Sequence, residues 1–346
     1  MTSTSAPLRW YICADVASGS DSAELEPPTL ADVRAAGKRI RGHIAPSPLR
    51  NYPAIDRLIG AEVWVKHDNL LPTGAFKVRG GVNLMSQLDA STRARGVVAA
   101  STGNHGQSVA FAARLFGVKA LICSPEGANP VKVEAMRDLG AEVVLVGRDF
   151  DDAREHCERL AAERGYRYIH SGNEPDLIAG VATHTMEILE EQPDIDVVVV
   201  PIGGGSGAAG ACIAAKSIRP GIEVIGVQST AAPTAHDSWR AGKPVERPNT
   251  TIAEGLSTRT AFELPQRILR ERLDDFALVS DDDLLRAVGV MIEKTRTLVE
   301  PAGAAPFAAA VSPTLGPRLA GRRVALICSG ANISPNQLRQ VMAIQR

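Results

Sequence analysis

Residues 196–210 read DVVVVPIGGGSGAAG, an unbroken apolar run that gives way to glycines and then to small helix-forming residues. The consecutive valines Val197–Val200 predict a strand buried on both faces, because a half-exposed strand would alternate polar and apolar side chains. The glycines predict a sharp turn, and the alanine-rich stretch from 207 to 217 predicts a helix packed closely on the sheet. Strand, turn and helix in that order make half of a parallel βαβ unit, and the pattern recurs on both sides. Further strand candidates are AEVWVK (61–66), GVVAAS (96–101), KALICS (119–124), AEVVLVG (141–147), EVIGVQ (223–228) and RRVALICS (322–329). Charged, alanine-rich segments at 108–116, 130–139, 151–164 and 281–297 have helical character. The expected fold is therefore α/β with two domains, each an open, mainly parallel sheet flanked by helices. Residues 82–166 hold a compact strand–helix cycle and are expected as a small mobile domain. Residues 28–81 and 167–346 form the large one. Residues 1–27, rich in Ser, Asp, Pro and Ala without periodicity, read as a disordered extension.

Bulk properties narrow the function. The 346 residues exceed one domain at about 150 residues each. A composition of 45% hydrophobic and 22% charged residues is that of a globular protein, and a net charge of −1 offers no electrostatic reason to bind nucleic acid or an anionic membrane. Cys13, Cys123, Cys157, Cys212 and Cys328 are scattered, with no CxxC pair, so neither a disulfide framework nor a zinc ribbon is expected. No apolar run suits a membrane span, and Arg9 followed by WYICADVA is too short and polar for a signal peptide. The expected compartment is the cytoplasm.

Ligands of such sheets bind beyond the carboxyl ends of the strands. After Val200, the turn PIGGGSGAAG (201–210) lets backbone N–H groups converge on an anion at a helix N-terminus. Residues 205–210 also fit GxGxxG, but a dinucleotide site needs an acid at the end of the next strand, and that strand ends in Gln228, with Glu223 at its other end. A P-loop would need Gly-Lys-Ser/Thr, which is absent. The turn reads as a cup for one phosphate monoester, or as a plain strand–helix turn. After GVVAA, the stretch ASTGNHGQS (100–108) offers backbone donors suited to a carboxylate, or equally a capping turn. ICSGAN (327–332) places a hydroxyl, Ser329, at a third strand end. PTGAFKVRGG (72–81) sets Lys77 behind a turn, as a surface lysine or as a buried amine with a chemical role. Pyridoxal phosphate needs this whole set: an amine, an anion cup, a donor for its 3′-oxygen and a partner for its ring nitrogen.

The stretches TGAFKVRGG, STGNHGQSVA, PIGGGSGAAG, VEPAGA and ICSGAN resemble the pyridoxal-phosphate fold type II (tryptophan synthase β-like) family, and within it the threonine/serine dehydratase and serine racemase group. The match runs over roughly 30–345 in the family's order. The resemblance implies a cofactor, pyridoxal 5′-phosphate, in the cleft between the domains, with Lys77 as the imine-forming residue and Phe76 near the ring. It implies that Asn104 binds the 3′-oxygen, that Gly203, Gly204, Gly205, Ser206 and Gly207 hold the phosphate, and that Ser329 meets the pyridine nitrogen. Ser101, Thr102, Gly103, Asn104 and His105 would bind the substrate carboxylate. It also implies a homodimer.

Two departures stand out. Ser206 takes the place of a fourth glycine and so offers an added hydroxyl, and Gln228 and Thr234 stand where metal-dependent relatives carry acids, so no metal is expected. A serine at the ring nitrogen leaves the ring neutral, which favours β-elimination over transamination. The expected function is dehydration and deamination of a β-hydroxy-α-amino acid such as L-threonine or L-serine to a 2-oxo acid and ammonia. Alternatives are a 3-hydroxyaspartate or bulkier-substrate dehydratase, or a serine racemase, in whose group a serine stands where this chain has Thr102. β-Replacement is disfavoured because such relatives read TSGNTG. Outside the class stands a nicotinamide oxidoreductase. The chain ends soon after ICSGAN, so no C-terminal effector domain is expected.

Overall fold

The computed structural model describes residues 25–344, so most of the extension expected over 1–27 lies outside the described residues. Among the described residues ten strands form two sheets: β1 (Leu49–Asn51), β2 (Glu62–His67), β3 (Val97–Ala100), β4 (Ala120–Ser124), β5 (Glu142–Leu145), β6 (Arg167–Tyr168), β7 (Val197–Pro201), β8 (Glu223–Ser229), β9 (Asp275–Val279) and β10 (Arg323–Cys328). The larger sheet has the order β1-β2-β10-β7-β8-β9, and the smaller β5-β4-β3-β6. All pairings are parallel except β1 with β2. Every strand expected from the sequence is present, shifted at its ends by a residue or two. The short β6 pairs with β3 and so carries the smaller sheet past residue 166.

β10, from the end of the chain, lies between β2 and β7: Val324 pairs with Val63 on one side and Val197 on the other. Val197–Val200 are buried, as strands covered on both faces must be. No helix among the described residues is long and apolar enough to cross a membrane.

One polar cluster fixes the helix Lys77–Ser86 from below. The buried Arg79 guanidinium donates to both carboxylate oxygens of Asp68, at 3.1 and 2.8 Å, and to both of Glu187, at 2.7 and 2.8 Å. It also donates to Thr183 Oγ1 at 3.1 Å and Ser47 Oγ at 3.1 Å. Lys66 Nζ lies 2.6 Å from Glu187 and donates to the Ser47 carbonyl at 2.7 Å. Strand β2, helix Lys77–Ser86 and helix Pro175–Glu191 are thereby tied together two residues from Lys77.

Candidate active site

Lys77 opens its helix, and its amine meets the glycine turn. Nζ donates to Ser206 Oγ at 2.7 Å and to the Ser171 carbonyl at 3.1 Å, and lies 5.2 Å from the centre of the Phe76 ring. The side chain keeps some accessible surface, but its amine lies deep enough that burial lowers its pKa to about 8. Phe76 N–H donates to the Ser329 carbonyl at 2.9 Å, and Ala75 bridges to Gly330, so the lysine segment lies directly against ICSGAN.

The glycine turn is a cradle that side chains would fill. A Cβ at Gly203 would meet the Gly255 carbonyl oxygen at 2.3 Å, and one at Gly204 would meet Phe262 Cε2 at 2.2 Å. Gly205 has φ +91°, where a side chain is strained in any case. A Cβ at Gly207 would press on the Phe76 ring at 3.0 Å. Gly203→Ala is expected to weaken cofactor retention roughly 10-fold or more, because overpacking against fixed backbone costs ~1–3 kcal/mol. Gly221→Ala, which has open space around its Cβ, should retain cofactor as the parent does. An absorbance titration compares the two, and equal retention would count against the cradle.

The turn Ser101–His105 enters the helix Asn104–Phe116. Ser101 Oγ accepts from the N–H groups of Gly103 (3.0 Å) and Gly106 (2.8 Å), so this hydroxyl shapes the turn, as a capping serine does. Thr102 is half-buried. A Cβ on Gly103 would meet Lys132 Cδ at 2.9 Å and Nζ at 3.4 Å; Lys132 is buried and ion-paired with Glu254 at 2.6 Å. His105 is buried, with Nε2 3.2 Å from the Ile169 carbonyl, and burial lowers its pKa to about 3. It stays neutral and is fixed to backbone, which suits support rather than general-base work.

Asn104 Nδ2 donates to Glu300 Oε1 at 2.7 Å, and its Oδ1 accepts from Asn332 Nδ2 at 2.8 Å. Asn332 also donates to the Thr73 carbonyl at 2.9 Å. Glu300 is buried, and desolvation raises its pKa against the lowering effects of Lys132 and Asn104. A single polar chain thus joins the small sheet's first helix to the lysine turn and the end of β10.

An amine beside a glycine cradle and a half-buried phenyl ring is what a phosphorylated aldehyde requires, and residues 40–330 match the model of the pyridoxal-phosphate dependent enzymes. The chain belongs to that family. It is 35% identical over 316 residues to L-threonine ammonia-lyase of Thermotoga maritima, covering 91% of this chain and 78% of that protein. It is 36% identical to L-threo-3-hydroxyaspartate ammonia-lyase of Saccharomyces cerevisiae, covering 88% and 94%. The solved structure of maize serine racemase superposes with a TM-score of 0.87 at 31% identity, covering 92% of this chain and 98% of that one.

As a member of the pyridoxal-phosphate dependent enzymes, the chain has residues that fit the group. Gly203–Gly207 would hold its phosphate and Lys77 would bond its aldehyde; Ser329 is joined to the lysine segment through its carbonyl, and Asn104 through Asn332. The nicotinamide reading of 205–210 is thereby displaced. Several contributors carried no local signal in the sequence. Glu300 and Asn332 stood inside VEPAGA and ICSGAN without an evident role. Ser171, Phe262 and Gly255 reach the site only through tertiary packing.

Proposed function

We propose that the chain is an ammonia-lyase that dehydrates and deaminates a β-hydroxy-α-amino acid, L-threonine or L-serine first, to a 2-oxo acid and ammonia. The observation that carries this reading is the Lys77 amine set at the edge of the glycine cradle, 2.7 Å from Ser206 Oγ, where burial lowers its pKa to about 8. Similarity to ammonia-lyases across nine-tenths of the chain supports the reaction class. When bound, the cofactor supplies an aldehyde for the amino group and a conjugated ring that spreads the electron pair left at Cα. The turn Ser101–His105 binds the substrate carboxylate through backbone donors, with the Lys132 ammonium adding positive charge close to Gly103. Lys77 Nζ, once free, takes the Cα proton, and the β-hydroxyl leaves as water after it gains a proton. Hydrolysis of the remaining enamine gives the 2-oxo acid and ammonia.

The wider reading includes the mobile small domain over 82–166, a cytoplasmic homodimer and no metal requirement. Gln228 supports the last point: its Oε1 accepts from His236 N–H at 3.1 Å and its Nε2 donates to the Leu256 carbonyl at 3.4 Å, so its amide is tied to backbone. A second reading, 3-hydroxyaspartate as substrate, is favoured by the yeast relative and by the buried Lys132 near Gly103. A panel of L-threonine, L-serine and the 3-hydroxyaspartate isomers tests both, with ammonia and 2-oxo acid measured in parallel. One-to-one ammonia and 2-oxo acid are expected, unchanged by a chelator. No ammonia from any member by the loaded protein would overturn the reading. Chiral analysis of the recovered serine reports any racemisation at its Cα, with Thr102 as the candidate second acid/base.

A further inference from the structure

Ser206 was expected from its place in the glycine turn to face a phosphate, yet its hydroxyl lies on the lysine. It is the first residue of the helix Ser206–Ile218, follows the left-handed Gly205, and is buried. Its Oγ stands 2.7 Å from Lys77 Nζ, while the second partner of Nζ is the carbonyl of Ser171 at 3.1 Å. These two partners are chemically unlike. A carbonyl only accepts, whereas a hydroxyl accepts or donates by rotating its hydrogen. The ammonium form of Lys77 donates to both. The neutral amine has one lone pair and can still donate to Ser171, and of the two partners only Ser206 can donate to that lone pair.

We propose that Ser206 is a positioning residue for Lys77, a dock that holds the ε-amine in one place in both of its charge states whenever it is not covalently engaged. The proposal rests on the reading of Lys77 as the residue that bonds the cofactor and moves the Cα proton. The dock gives that amine a fixed point of departure and return at the cradle's edge. Other titratable groups near the amine are His105, from the helix Asn104–Phe116, and His170, from the loop after β6. Burial holds both near about 3, so neither changes charge in the range where the lysine does. Phe76 presents only its ring.

The sign of the effect follows from bond strength. A hydroxyl accepting from an ammonium makes a charge-assisted bond, stronger than the neutral bond it donates to the free amine. Removing the hydroxyl therefore costs the protonated form more, and the amine loses its proton at lower pH. The test is competitive acetylation of the cofactor-free full chain with trace acetic anhydride across pH, read on the Lys77 peptide by mass spectrometry. Ser206→Ala and Ser206→Gly, each checked for a parental melting profile, should lower the midpoint by about half a pH unit or more. Ser206→Thr, which keeps a hydroxyl, should restore it. Both deletions titrating with the parent would overturn the proposal. So would a loss of cofactor retention with the midpoint unmoved, since the hydroxyl would then serve the phosphate alone. A shifted midpoint in a protein that releases no ammonia from any hydroxyamino acid would instead sink the proposed function and leave the dock standing.

Discussion

Lys77→Ala is expected to leave the cofactor-supplemented protein without its absorbance near the violet edge and to lower ammonia release by roughly 10³-fold or more, because the same nitrogen supplies the covalent attachment and the base. Neither histidine near the amine can substitute for it. His105 and His170 are neutral, and each is bonded to backbone rather than open to a substrate. Lys77→Arg separates charge from nucleophilicity: a guanidinium keeps the positive charge but cannot become a free amine at any working pH. It should be as inactive as the alanine variant. In the parent, covalent attachment of the cofactor should accelerate as pH rises through about 8, where the buried amine loses its proton, and then level off. Retained colour together with full turnover in Lys77→Ala would remove the basis for the site described above.

Arg79→Met is expected to be the most damaging change away from the cleft. The guanidinium neutralises two buried carboxylates with two-pronged bonds, and Arg79 holds Asp68 below the ordinary carboxylate range although desolvation pushes the other way. Methionine fills a similar volume but leaves Asp68 and Glu187 with Lys66 as the remaining nearby cation. Removing one partner from such a cluster costs ~3–5 kcal/mol, because the stranded charge has no water to replace it. The thermal midpoint should fall by several degrees. Cofactor retention should fall too, since the helix that carries Lys77 loses its tie to β2 and to Pro175–Glu191. A melting profile equal to the parent's would show that the cluster is dispensable.

Strands of the interior were legible because burial on both faces forces unbroken apolar runs such as Val197–Val200. The strands with weak signals are short or lie at edges: β1 and β6 have three and two residues, and β9 ends the large sheet. Helix Pro175–Glu191 is buried along almost its whole length, as is Pro301–Ala310, which also contains Pro306. Neither offers the polar stripe that marks a surface helix. Within the site, Lys77, Asn104 and the glycine turn carry local chemical signatures. Glu300 and Asn332 join Asn104 across 196 and 228 residues of chain, a pairing that no local pattern encodes. The partner of Ser206 was hidden for the same reason: a hydroxyl in a phosphate cup says nothing of a lysine 129 residues earlier.

The central position of β10 bears on how the molecule is made. Without residues 323–328 the strand order leaves the large sheet as two separated pieces, β1-β2 on one side and β7-β8-β9 on the other, whose facing edges lack the strand that joins them. Phe76 likewise waits for the carbonyl of Ser329. A nascent chain halted before that strand should therefore be unable to retain cofactor, and the exposed edges of its halves should make it a client for chaperones during synthesis.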